Sequence, residues 1–146
     1  MAESAETIKK TRADGQLSAL AGEFFVAAEL LKRELQTSLT FGNAKAIDLL
    51  AYNPKSNCTF KVQVKTLRKP NYFPLRQSAV KQDHVYVFVL LNKPGEAVRY
   101  FVIPRSVLLA MSETFGKDFQ HPTFPGIHPK HLKDFEGAWD YFDSAL

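Results

Sequence analysis

Two periods alternate along the chain. Over residues 16–36 the apolar positions return every three or four residues, at Leu17, Leu20, Phe24, Ala27, Ala28, Leu31 and Leu35. That spacing predicts an amphipathic helix laying this one face on a core. Asp14 or Ser18 stands where a cap would start it. "TFGN" breaks the pattern, and "AIDLLAY" at residues 46–52 reads as a strand. "NPKSN" at 53–57 is dense in turn formers. In "TFKVQVKT", residues 59–66, Phe60, Val62 and Val64 alternate with Lys61, Gln63 and Lys65, the period of a half-buried strand. The short turn between the two strands predicts an antiparallel hairpin.

Residues 67–83 hold two prolines and several basic residues with no clean period, so they read as a long loop with a short helical turn. Loops of that length inside compact domains are often functional. "HVYVFVLL", residues 84–91, is an almost unbroken apolar run that suits a strand buried on both faces. "NKPGEA" turns the chain, "VRYFVI" makes another strand, and Pro104 suits the first turn of a helix through "RSVLLAMSETF". The tail reads as a loop and short helices that return Trp139, Tyr141 and Phe142 to the core. The order is helix, strand, strand, long loop, strand, strand, helix, helix. It predicts one α/β domain spanning residues 1–146, with a small mixed central sheet flanked by helices and residues 1–14 as a flexible arm.

The composition changes little in this picture. The chain has 146 residues, and its 45% hydrophobic content suffices for a core. No run approaches the roughly 20 apolar residues of a membrane span, and the polar start resembles no targeting peptide, so the cytoplasm is the expected compartment. Cys58 is the single cysteine, which excludes an internal disulfide and a cysteine metal cluster. The four histidines show no zinc spacing together with other ligands; His128 and His131 read as surface. A net charge of +4 leans mildly towards polyanionic partners.

The candidate chemistry lies on the hairpin and the first helix. Side chains two apart on a strand share a face, so Gln63 and Lys65 point together. By itself that face fits a solvated strand as well as a site. Asp48 interrupts an apolar run, where an unpaired carboxylate is costly to bury, and it falls across the hairpin from Gln63. Glu23 lies roughly 90° from the centre of the apolar stripe, positioned to look over the core edge towards the sheet. Glu29 points towards solvent.

"GEFFVAAELL" on a helix, then "AIDLLAY", then "FKVQVKT" resembles the PD-(D/E)XK nuclease superfamily, in particular small Holliday-junction-resolvase-like and endonuclease-like domains. The likeness covers roughly residues 15–110, about two thirds of the chain. It implies a restriction-endonuclease-like core, with Glu23, Asp48, Gln63 and Lys65 as catalytic residues. Mg²⁺ or Mn²⁺ would be held by Asp48, Gln63, Glu23 and the Val64 carbonyl. The chain departs from the family pattern at Ile47, where proline is usual, and at Gln63, where an acid is usual. A neutral amide gives a hard cation one oxygen and no charge, so metal affinity should be lower. The resemblance implies a metal-dependent endonuclease acting on DNA, working as a homodimer. Arg68, Lys69, Arg76 and Lys81 would grip phosphates, and Tyr72 and Phe73 would stack on bases. Gln63 also motivates an alternative, a catalytically degenerate module that binds nucleic acid or a protein partner without cutting.

Overall fold

The computed structural model describes residues 12–40, 47–81, 83–110 and 112–143. The arm expected at residues 1–11 lies outside them, but Arg12 to Asp14, expected in that arm, already belong to the first helix. Helix α1 (Arg12–Lys32) is followed by strands β1 (Gln36–Leu39), β2 (Leu49–Asn53) and β3 (Cys58–Leu67). A two-residue strand β4 (Phe73–Pro74) lies within the long loop, and β5 (His84–Leu90), β6 (Arg99–Pro104) and helix α2 (Arg105–Ala110) follow. The tail consists of 3₁₀ turns and a short strand β7 (Gly126–Ile127) that pairs with β4.

The central sheet runs β1-β2-β3-β5-β6. β2 and β3 form the expected antiparallel hairpin, β3 and β5 are parallel, and β5 and β6 are antiparallel. The sheet is therefore mixed, with cores on both faces, and the fold is an α/β fold. Phe60, Val62, Val85, Val87 and Val89 meet α1 on one face, joined by Trp139 and Phe142 from the tail. Tyr86, Phe88, Phe101 and Ile103 meet α2 and the 3₁₀ turns on the other. β5 is buried along its whole length, as its unbroken apolar run requires. The tail is tied back by Asn53 Nδ2 donating to the Phe142 carbonyl at 2.8 Å and by a bidentate Arg99–Glu136 pair at 2.8 and 2.9 Å. No helix among the described residues is long and apolar enough to cross a membrane.

Two local expectations fail. β1 was not visible to periodicity, because "QTSL" carries one apolar residue and lies at the sheet edge. More consequentially, α1 is turned over relative to its hydrophobic stripe. Val26, Ala27 and Leu30 are buried against the sheet, together with Ser18 and Gly22, while Leu17, Leu20, Phe24 and Leu31 are exposed. Ser18 is therefore no cap: it lies inside the helix, where its hydroxyl accepts from Arg68 Nε at 2.7 Å. The physical reason is close approach. A methyl added to Gly22 would overlap the Thr66 side chain on β3, so only this small-residue row lets the helix settle so near the strand. The helix ends where Glu34 takes a left-handed conformation (φ 69°) and Leu35 N–H donates back to the Leu30 carbonyl at 3.0 Å. That is a Schellman stop, with Leu30 and Leu35 both in the core.

Candidate functional site

The site grows from an irregularity in the β2–β3 ladder. Leu49 is the register partner of Val62, yet Asp48 N–H also donates to the Val62 carbonyl, at 3.0 Å. Two residues of one strand thus stand against one of the other, the arrangement of a β-bulge. A bulge puts its two residues on the same side of the sheet, so Asp48 follows Leu49 to the face covered by α1 instead of alternating away. Thr40 fixes the other edge: its hydroxyl donates to the Ile47 carbonyl at 2.6 Å and its N–H to the Asp48 carbonyl at 3.1 Å.

Beyond the bulge the ladder opens, and the Asp48 carboxylate takes the place of a strand carbonyl. Its Oδ2 accepts the Val64 N–H at 2.8 Å. N–H and C=O of one strand residue point towards the same edge, so the Val64 carbonyl also faces this gap. Glu23 reaches it from α1. Its carboxyl hydrogen-bonds Asp48 and is pushed up from 4.5 to about 7, by burial first and then by the Asp48 charge. At neutral pH Glu23 therefore keeps its proton about half the time. Two carboxylates and a backbone carbonyl are hard oxygen donors, the kind Mg²⁺ or Mn²⁺ prefers. A divalent ion would also relieve the repulsion that holds the proton on Glu23. The donor set fits the ion, although among the described residues no three His, Cys, Asp or Glu side chains come together as a metal-holding group.

Gln63 and Lys65 leave β3 on the opposite face from Val62 and Val64. Gln63 is buried, and its Nε2 lies 3.1 Å from Nδ1 of His84, across the parallel pairing of β3 with β5. A neutral imidazole lets Nδ1 accept from this amide. Burial, and then Lys61, lower its pKa in agreement. Among the described residues no ion pair joins Lys65 to Asp48 or Glu23. Lys65 instead lines a cleft of about 500 Å³ with Asn71, Tyr72, Leu75, Arg76 and Phe124. The sequence-derived set is thus divided by the backbone of β3: the carboxylates and Val64 on the α1 side, Gln63 and Lys65 on the other.

The basic loop is divided too. Tyr72 and Arg76 lie in the cleft beside Lys65, while Arg68 is held by Ser18 on α1. Lys69 and Lys81 are exposed, with the Lys81 N–H anchored on the Tyr86 hydroxyl at 2.8 Å. Phe73, expected to stack on bases, is fully buried in the core and presents no face to a ligand. The aromatic ring that does stand out is Phe124, at 82% exposure. Sequence reasoning missed it inside the polar tail, where an isolated Phe between Thr and Pro has no period to serve. It missed His84 as well; its place opposite Lys61 in the parallel register becomes visible only once β3 and β5 are paired. Compared with protein-family models, curated proteins and solved structures, the chain matches none.

Proposed function

We propose that the protein is a metal-dependent endonuclease of the PD-(D/E)XK type, in a Q-x-K form, that hydrolyses phosphodiester bonds in DNA. The observation that carries this reading is the Glu23–Asp48 pair at the bulge, with the Val64 carbonyl facing the same gap. Asp48, Glu23 and the Val64 carbonyl would hold Mg²⁺ or Mn²⁺, while Gln63, which the family pattern would add to them, lies on the other face of β3 against His84. A bound ion would supply charge to the phosphoryl oxygens and lower the pKa of water.

The chain's own groups supply the rest. Glu23, with a carboxyl titrating near neutrality, can take a proton from an attacking water or return one to a leaving oxygen. Asp48 is oriented by the Val64 N–H and stands against Glu23. Lys65 offers a cation to a phosphate entering the cleft, where Arg76 adds a second. Tyr72 and Phe124 line that cleft with aromatic surface of the kind that takes unpaired bases.

The test is cleavage of labelled linear DNA, branched DNA and RNA with Mg²⁺ or Mn²⁺. Asp48→Ala and Lys65→Ala should each abolish cutting while leaving the circular dichroism spectrum unchanged. Cleavage retained in both variants would sink the assignment. A second reading rests on Gln63, which meets His84 where the family pattern has a carboxylate: a module that binds nucleic acid without cutting. Binding that ignores Mg²⁺ and falls steeply with salt, with no cleavage of any substrate, would favour it.

A further inference from the structure

Helix α1 has a second apolar face, opposite the one that meets the sheet. Leu17, Leu20, Phe24 and Leu31 are exposed to 59%, 42%, 50% and 54%, and Ala28 among them is exposed as well. At 100° per residue the five fall within about 80° of one another, centred on Phe24 and roughly opposite Val26. This stripe is what made the helix look as if it packed the other way round.

The spacing is symmetric about its centre: three, four, four and three residues separate 17, 20, 24, 28 and 31. A two-fold axis beside Phe24 therefore sets Leu17 against Leu31 of the second copy, Leu20 against its Ala28, and Phe24 against its counterpart. An isologous interface requires a patch that complements itself under such a rotation. Setting Leu20 against Ala28 on both sides of the axis alternates large with small and leaves room for two Phe24 rings at the centre. We propose that α1 pairs antiparallel with α1 of a second copy of this chain, through this stripe and about this axis.

Area supports a second copy as the occupant. The exposed side chains amount to on the order of 400 Å² of apolar surface, the size of patch that is often functional where a monomer carries it. Two such patches, roughly 800 Å², would be the apolar part of an interface of about 1,400 Å², within the usual range for a stable dimer. The eleven residues of this sequence before Arg12 carry two side chains that are apolar and larger than alanine, Met1 and Ile8. A lipid surface is a poorer match, because membrane-surface helices flank their apolar face with rows of cations. From Gln16 to Lys32 it is flanked by Gln16, Ala21, Phe25 and Ala27, with Lys32 as the cation of that stretch.

The proposal stands whether or not the chain cuts nucleic acid, and its test is independent of activity. Sedimentation equilibrium of the full chain at tens of micromolar should give twice the 16.5 kDa chain mass. Phe24→Glu, which brings two carboxylates to the axis, should halve that mass without changing the circular dichroism spectrum, since the site is half exposed. In a Cys58→Ser background, Phe24→Cys should oxidise to a covalent dimer, whereas Ala19→Cys, exposed elsewhere on the helix, should not. A monomeric wild type overturns the proposal, including one that instead sediments with phosphatidylserine vesicles. So does a Phe24→Glu protein that keeps the dimer mass, or cross-linking equal at both cysteines.

Discussion

Replacing Glu23 by Gln should make the protein more stable at pH 8 and leave it almost unchanged at pH 4.5. Glu23 is held at about 7 in the folded chain, against an ordinary 4.5. A carboxyl whose pKa is raised by folding binds its proton more tightly in the native state, so stability is full below the ordinary value. It then falls as pH climbs through the folded value. Taken at face value the difference is roughly 3 kcal/mol. The carboxyl is only partly buried and water screens it, so a realistic contribution is about 1 kcal/mol. Gln keeps the shape and a donor for Asp48 but carries no charge, so Glu23→Gln should gain that amount at pH 8. For a chain this size the gain corresponds to a rise of roughly 3 °C in melting temperature. Urea denaturation of both proteins from pH 4.5 to 8 measures it. Saturating Mg²⁺ should reverse the order at pH 8, because the ion stabilises the ionised pair in the wild type and has lost a ligand in the variant. Calorimetry at pH 6 in buffers of different ionisation enthalpy should also show proton release on metal binding to the wild type alone. Equal stability of the two proteins at every pH would refute the Glu23–Asp48 pair, and with it the geometry of the site.

Three further changes test separate parts of the structure. Gly22→Ala should cost about 1–3 kcal/mol in urea denaturation despite alanine's better helix propensity, because the methyl meets Thr66; an unchanged midpoint would mean the helix sits further from β3. Gln63→Glu should place a carboxylate against Nδ1 of His84 and reverse the present depression of its pKa. An upward move of the His84 pKa in an NMR titration is the expected result. Phe124→Ala should weaken binding of a single-stranded oligonucleotide by about 1–3 kcal/mol in fluorescence anisotropy while leaving duplex binding nearly unchanged; equal losses on both would remove Phe124 from base contact.

How legible all this was depended on whether an element had one reason for its pattern or two. β5 had one, burial on both faces, and the apolar run from Val85 to Leu91 announced it. The β2–β3 hairpin likewise followed from a dense turn between two apolar segments. Helix α1 had two reasons, and they conflicted. Its large side chains mark the exposed stripe, while the face on the sheet is made of Ser18, Gly22, Val26 and Leu30, a row that periodicity scores as weak. Close packing against Thr66 rewards small residues, so the better-packed face was the less hydrophobic one. Glu23 survived the inversion because it lies on the flank between the two stripes and borders whichever face meets the sheet.

Asp48 was legible for a related reason: a carboxylate in an apolar run must have a use. Which way it points was not, because strict alternation sends residue 48 to the face opposite Leu49. The bulge cancels that alternation and turns Asp48 to the helix, and a bulge is a property of the paired strands that neither strand shows alone. The same alternation, undisturbed on β3, keeps Gln63 and Lys65 on the far side. The division of the site by β3 thus follows from one extra residue at the start of β2. A substrate that uses both parts must meet the sheet end-on, where β2 has opened away from Val64, since the body of the strand screens one side from the other.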